Sequence, residues 1–78
     1  MNSEIVTIYT RPDCGPCTAT KRALAKAGLA FVEVSLEDVT DEQRAAFQAA
    51  GFMQAPVVLT PGGDAWAGFR PDMIGSIG

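Results

Sequence analysis

Apolar and polar positions fall in blocks along the chain, and each block has its own period. The first, "EIVTIYT" (4–10), is apolar and rich in β-branched residues, which predicts a buried strand. "RPDCGP" interrupts it. "CTATKRALAKAG" (17–28) is built from helix formers, aligns Ala19, Ala23, Leu24 and Ala27 as an apolar stripe, and stops at Gly28. "LAFVEVS" (29–35) predicts a second strand. "TDEQ" (40–43) reads as a capping box, with the Thr40 hydroxyl capping the backbone and Gln43 reaching back. It opens a second helix over roughly 41–50, with Ala46, Phe47 and Ala50 facing inward and Gly51 as its stop. "APVVLT" (55–60) predicts a third strand and "AWAGF" (65–69) a fourth, paired as a hairpin through the "PGGD" turn. "RPDMIGSIG" (70–78) starts a short helix, with Pro71 at an early position and glycines weakening its end.

The order β-α-β-α-β-β-α predicts an α/β fold. Strands separated by a helix are expected to be parallel, with right-handed crossovers, and the hairpin strands antiparallel. The result is a mixed four-stranded sheet flanked by helices, one domain over residues 1–78. No repeat, linker or low-complexity segment divides it.

Composition narrows the function. Hydrophobic residues make up 47% and charged residues 19%, the proportions of an ordinary soluble globular chain. The net charge is −3, and Arg11, Lys21, Arg22, Lys26, Arg44 and Arg70 are scattered. Nucleic-acid binding needs grouped cations, so it is not expected. Apolar runs are too short to span a bilayer, so no membrane association is expected. "MNSEIVTIYT" lacks the basic and apolar regions of a signal peptide. The expected location is the reducing cytoplasm.

Both cysteines, Cys14 and Cys17, lie in "DCGPC" where the first strand gives way to the first helix. In open α/β sheets, sites form at such ends. A disulfide closing so short a loop restrains the unfolded chain by only roughly 2 kcal/mol, too little for a structural staple. A zinc site needs about four ligands. With no His and no third Cys, one chain cannot complete it, though two chains could share a metal. Thiol–disulfide exchange remains the leading reading. It requires a thiolate that attacks and a second thiol that displaces the mixed disulfide. A helix N-terminus, with its unpaired N–H groups and partial positive charge, favours the thiolate of a cysteine placed there. Cys14 is thus read as the nucleophile and Cys17, one turn further in, as the resolving thiol. Pro16 costs little among N–H groups that are unpaired in any case. Asp13 is a turn residue whose charge works against that thiolate.

Pro56, in "QAPVV", stands where a strand begins and a missing N–H is tolerable. Read functionally, it is a cis proline beside the cysteines, leaving the backbone of Ala55 free to pair with a substrate strand.

"CGPC" at a strand–helix junction, together with "APVV" downstream, resembles the thioredoxin fold in its small glutaredoxin-like form. "GFMQAPVV" (51–58) and "WAGFRPD" (66–72), with "YTRPDC" and "KRALAKAGLAF", are similar to the NrdH-redoxins over nearly the whole chain. One departure is the pair Gly15-Pro16, which is that of thioredoxin. The resemblance implies a monomeric dithiol–disulfide oxidoreductase that donates electrons to class Ib ribonucleotide reductase and is itself reduced by thioredoxin reductase with NADPH. No bound cofactor is implied beyond the Cys14–Cys17 disulfide.

Two alternatives belong beside it. A glutathione-dependent glutaredoxin typically binds glutathione through backbone groups after a Gly-Gly pair before the last helix. In "GFRPD", Phe69 stands at the second glycine and Pro71 offers no N–H. Arg11 is left as one cation for a glutathione carboxylate. The other alternative is a dimeric module holding an iron–sulfur cluster or metal through Cys14 and Cys17. Of the remaining candidates, alternation along the fourth strand predicts that one of Trp66 and Phe69 is buried and the other exposed near the site. Arg70 is either a solvated charge or a partner of Asp72 or Asp13 that holds the last loop in place.

Overall fold

The computed structural model describes residues 5–77. Glu4, expected in the first strand, and Gly78, at the end of the last segment, lie outside the described residues. The elements are β1 (Ile5–Thr10), α1 (Gly15–Lys26), β2 (Ala30–Ser35), α2 (Asp41–Ala49), β3 (Val57–Leu59), β4 (Ala65–Ala67) and α3 (Pro71–Gly75). Their order and type match the sequence reading. The fold is thioredoxin-like, with a mixed sheet of strand order β2-β1-β3-β4.

β1 and β2 are parallel, with Thr10 beside Ser35, as expected for strands joined by a helix. β3 departs from that expectation, running antiparallel to β1 with Val57 opposite Tyr9. The reason is positional. The connection through α2 leaves the sheet at Ser35 and returns to the same end, beside Tyr9, so β3 has to run the opposite way. β4 continues antiparallel from β3 through the turn. This return brings the end of β1, the start of α1 and the approach to β3 to one edge of the molecule.

The sheet has a core on each face. Val6, Ile8, Leu24, Val58, Trp66 and Ile74 form one, joined by partly buried Ala23 and Met73 of α1 and α3. Tyr9, Phe47 and Val57 form the other, under α2. Alternation along β1 explains the division, since Val6 and Ile8 point one way and Tyr9 the other. Completely burying such side chains contributes roughly 1.5–3 kcal/mol each.

Several side chains differ from the sequence reading. α1 buries Cys17, Thr20 and Leu24, whereas Ala27 is exposed. In α2 only Phe47 is buried, and Ala46 and Ala50 face solvent. The Phe47 ring packs edge-on against Tyr9 at 5.0 Å and near Phe52 at 6.4 Å, filling the space the alanines would need to reach. Thr40 caps α2 by accepting the Gln43 N–H at 3.1 Å. The Gln43 side chain does not reach back, because its amide donates to the Tyr9 hydroxyl at 3.0 Å.

Candidate active site

The chain enters the site through Asp13, whose φ of 55° lies in the left-handed region that Asp tolerates better than most residues. This turn delivers Cys14 to the N-cap of α1 with extended backbone, φ −111° and ψ 106°. The Cys14 carbonyl accepts the Thr18 N–H at 3.2 Å, starting the helix. Gly15 and Pro16 occupy the first turn, so the helix begins two residues before the sequence predicted. Pro16 fits there because the first N–H groups of a helix have no partner within it.

Cys14 and Cys17 are joined as a disulfide, with their Cα atoms 5.2 Å apart. Their surroundings differ. Cys14 is partly exposed, and its Sγ accepts the Cys17 N–H at 3.2 Å. Cys17 is only 2% exposed, turned toward the sheet. An acceptor sulfur at a helix N-terminus is in the position where negative charge is best tolerated.

The Ala55–Pro56 peptide is cis, as the sequence reading expected. The Cys14 Sγ lies 3.7 Å from the Ala55 carbonyl oxygen. Both Ala55 and Pro56 are buried, and they stand ahead of the β3 ladder, which begins at Val57. An open cleft beside the disulfide is walled by Arg11, Asp13, Cys14, Gly15, Pro16, Met53, Gln54 and Ala55. It adjoins a second cleft that shares Arg11, Met53, Gln54 and Ala55 and reaches Phe47, Phe52, Val57 and Arg44.

Arg11, Pro16 and Ala55 therefore meet Cys14 in one cleft, with Pro56 next to it. Trp66 is buried and Phe69 is 41% exposed, but β4 ends at Ala67, short of the strand expected over 65–69, so Phe69 lies beyond the strand and does not line the cleft. Phe69 follows Gly68, whose φ of +83° favours glycine and whose N–H donates to the Pro56 carbonyl at 2.8 Å. A Cβ at Gly68 would lie 2.6 Å from Gln54 Oε1, the end of an exposed, flexible side chain that can move aside, so it is the positive φ that calls for glycine here. Arg70 is paired with Asp72, not Asp13, by two hydrogen bonds of 3.3 and 3.0 Å. That pair holds the Asp72 carboxyl below its ordinary range, and both partners are exposed. Arg70 borders a separate hollow that shares Met53 and Gln54.

Met53 and Gln54 line the cleft but were not singled out from the sequence. Their signal was adjacency to Ala55 and Pro56. A further unpredicted group lies at the Cys end of the sheet. Here the Thr10 hydroxyl donates to Glu33 at 2.6 Å, and Lys21 of α1 pairs with the same carboxylate at 3.2 Å. Among the described residues no cluster of three or more His, Cys, Asp or Glu is placed to hold a metal, and no helix is long and apolar enough to cross a membrane.

A thioredoxin-like sheet carrying a Cys-X-X-Cys disulfide at the N-terminus of its first helix defines a dithiol–disulfide oxidoreductase. Comparison with known proteins agrees. The Glutaredoxin family model matches residues 6–64. The chain is 49% identical over 69 residues to the glutaredoxin-like protein NrdH of Escherichia coli K12, covering 88% of this chain and 83% of that one. It is 48% identical, with the same coverage, to the NrdH of Salmonella typhimurium. The solved NrdH-redoxin of Escherichia coli superposes with a TM-score of 0.79 at 48% identity, covering 91% of each chain. The chain belongs to the glutaredoxin family, within its NrdH-redoxin branch.

Proposed function

We propose that residues 1–78 act as one monomeric redox domain in the cytoplasm, carrying electrons from NADPH-dependent thioredoxin reductase to class Ib ribonucleotide reductase. The observation that carries this reading is the similarity to NrdH along 69 of the 78 residues, a length that takes in both the cysteine pair and the Ala55-Pro56 segment. The solved relative is described as having a thioredoxin-like activity profile. Two local features support thioredoxin reductase over glutathione as the electron source. Phe69 stands where a glutaredoxin has its second glycine, and Pro71, in the first turn of α3, has no N–H to offer a carboxylate.

The chemistry follows from the asymmetry of the pair. The Cys14 thiolate, partly exposed in the cleft, attacks one sulfur of a target disulfide. The other target sulfur leaves with the bonding electrons and takes up a proton. Cys17 then attacks Cys14 Sγ, closing the Cys14–Cys17 disulfide and releasing the second target thiol with the proton Cys17 has given up. The target's disulfide is reduced by two electrons and the pair is oxidised by two. Ala55 supplies backbone for an incoming extended segment, and Arg11 supplies a cation at the cleft's edge. Gly15-Pro16, the thioredoxin pair, supports a potential on the order of −250 to −270 mV, nearer thioredoxin than glutaredoxin.

The test is reconstitution. Purified class Ib ribonucleotide reductase, NADPH and thioredoxin reductase should form deoxyribonucleotides when this protein is added and should stop when Cys14→Ser replaces it. No product with the wild-type protein, under conditions where a chemical dithiol supports the reductase, would reject the assignment.

A further inference from the structure

α1 turns three buried residues toward the sheet: Cys17, Thr20 and Leu24. Steps of three and four residues place them in one line along the helix. Leu24 belongs to the apolar core and Cys17 carries the redox sulfur. Thr20 fits neither role. It is 0% exposed, and its hydroxyl has no hydrogen-bond partner among the described residues. A threonine hydroxyl within a helix commonly bonds a carbonyl three or four residues back. Leaving one buried and idle costs free energy and calls for a reason.

Helical side chains lean toward the N-terminus, so Thr20 lies over the turn that carries Cys17. In the disulfide the Cys17 sulfur is held toward Cys14. We propose that Thr20 is a positioning residue, and that its hydroxyl becomes the hydrogen-bond partner of Cys17 Sγ once the disulfide opens. In the mixed disulfide, Cys17 Sγ must become a thiolate before it attacks Cys14 Sγ. The new Cys14–Cys17 bond forms, the bond to the target sulfur breaks, and the electron pair leaves on that sulfur with the proton lost by Cys17. Burial opposes a charged sulfur, and a hydroxyl donor offsets that penalty. The Cys17 N–H already serves the other sulfur. Thr20, three residues further along the same buried line of α1, carries a hydroxyl with no partner in the oxidised form.

This inference rests on Cys17 being the resolving thiol. Thr20→Val keeps the shape and removes the hydroxyl. It withdraws a partner from the reduced state and removes an idle polar group from the oxidised one, and both effects favour the disulfide. The expected result is a shift of about tenfold in the equilibrium constant with a reference dithiol, about 30 mV toward more reducing potential. The mixed disulfide should also decay more slowly, the oxidised form should lose no thermal stability, and Thr20→Ser should restore wild-type values. An unchanged equilibrium constant in Thr20→Val, or a Ser variant that behaves like Val, would overturn the role of Thr20. Independently of any variant, a structure of the reduced wild-type protein with Thr20 Oγ1 turned away from Cys17 Sγ would also overturn it. Failure of Cys17→Ser to accumulate a mixed disulfide would instead remove the resolving-thiol assignment itself, so the two failures are distinguishable.

Discussion

Cys14 and Cys17 belong to one turn of one helix, yet the fold treats them oppositely. Cys14 stands at the N-cap with a backbone N–H donated to its sulfur, and Cys17 is tucked against the sheet. A thiolate is the reactive form, and it is favoured where donors converge and water can reach. Replacing Cys14 with Ser should therefore abolish disulfide reduction. Replacing Cys17 with Ser should leave the first attack intact and halt at a mixed disulfide, visible as a mass adduct with the target. Alkylation of the reduced protein at neutral pH should label Cys14 first, and faster labelling of Cys17 would reverse the two roles. Both cysteines, Pro56 and the capping role of Thr40 were legible from the sequence, because each depends on neighbours within a few positions. Thr20 was not. An apolar stripe built from Ala and Leu passes over a threonine, and only the packed sheet reveals that this one is enclosed. Met53 and Gln54 were likewise hidden, because their place at the cleft depends on bringing 53–55 against 11–16.

Elements here are tied together by a few polar bonds as well as by the two cores. Glu33 on β2 receives the Thr10 hydroxyl from β1 and the Lys21 ammonium from α1. The Thr10 hydrogen bond, then Lys21, holds the Glu33 carboxyl below its ordinary value of 4.5. A carboxyl depressed in the folded state adds stability above its unfolded value and loses it as pH falls through the folded one. Thermal unfolding followed from neutral to strongly acid pH should thus show an acid limb to which Glu33 contributes. Glu33→Gln should flatten that limb while lowering the neutral melting temperature little, since exposed ion pairs contribute about 0–1 kcal/mol. An acid limb identical in both proteins would contradict the linkage. The order of elements was readable because each has its own period and stop signal. The direction of β3 was not, since a connecting helix does not fix which end of the sheet the chain returns to. The inward alanines of α2 were misplaced because one aromatic, Phe47, fills that layer with Tyr9 and Phe52.

Across the whole molecule, the strand order β2-β1-β3-β4 gathers the cysteine turn and the Ala55-Pro56 segment at one edge, with the turn before α3 bonded to Pro56. A partner protein would meet all three together. Phe69 lies outside the cleft walls, and α3 begins with a proline, which has no N–H to offer a carboxylate. Under the proposed function, electrons arrive from a protein donor. The most direct measurement is NADPH oxidation with the protein at micromolar concentration and a protein disulfide as acceptor, driven either by thioredoxin reductase or by millimolar glutathione with glutathione reductase. Rapid turnover with thioredoxin reductase and slow turnover with glutathione is the expected result. Efficient turnover with glutathione, together with inertness toward thioredoxin reductase, would contradict it.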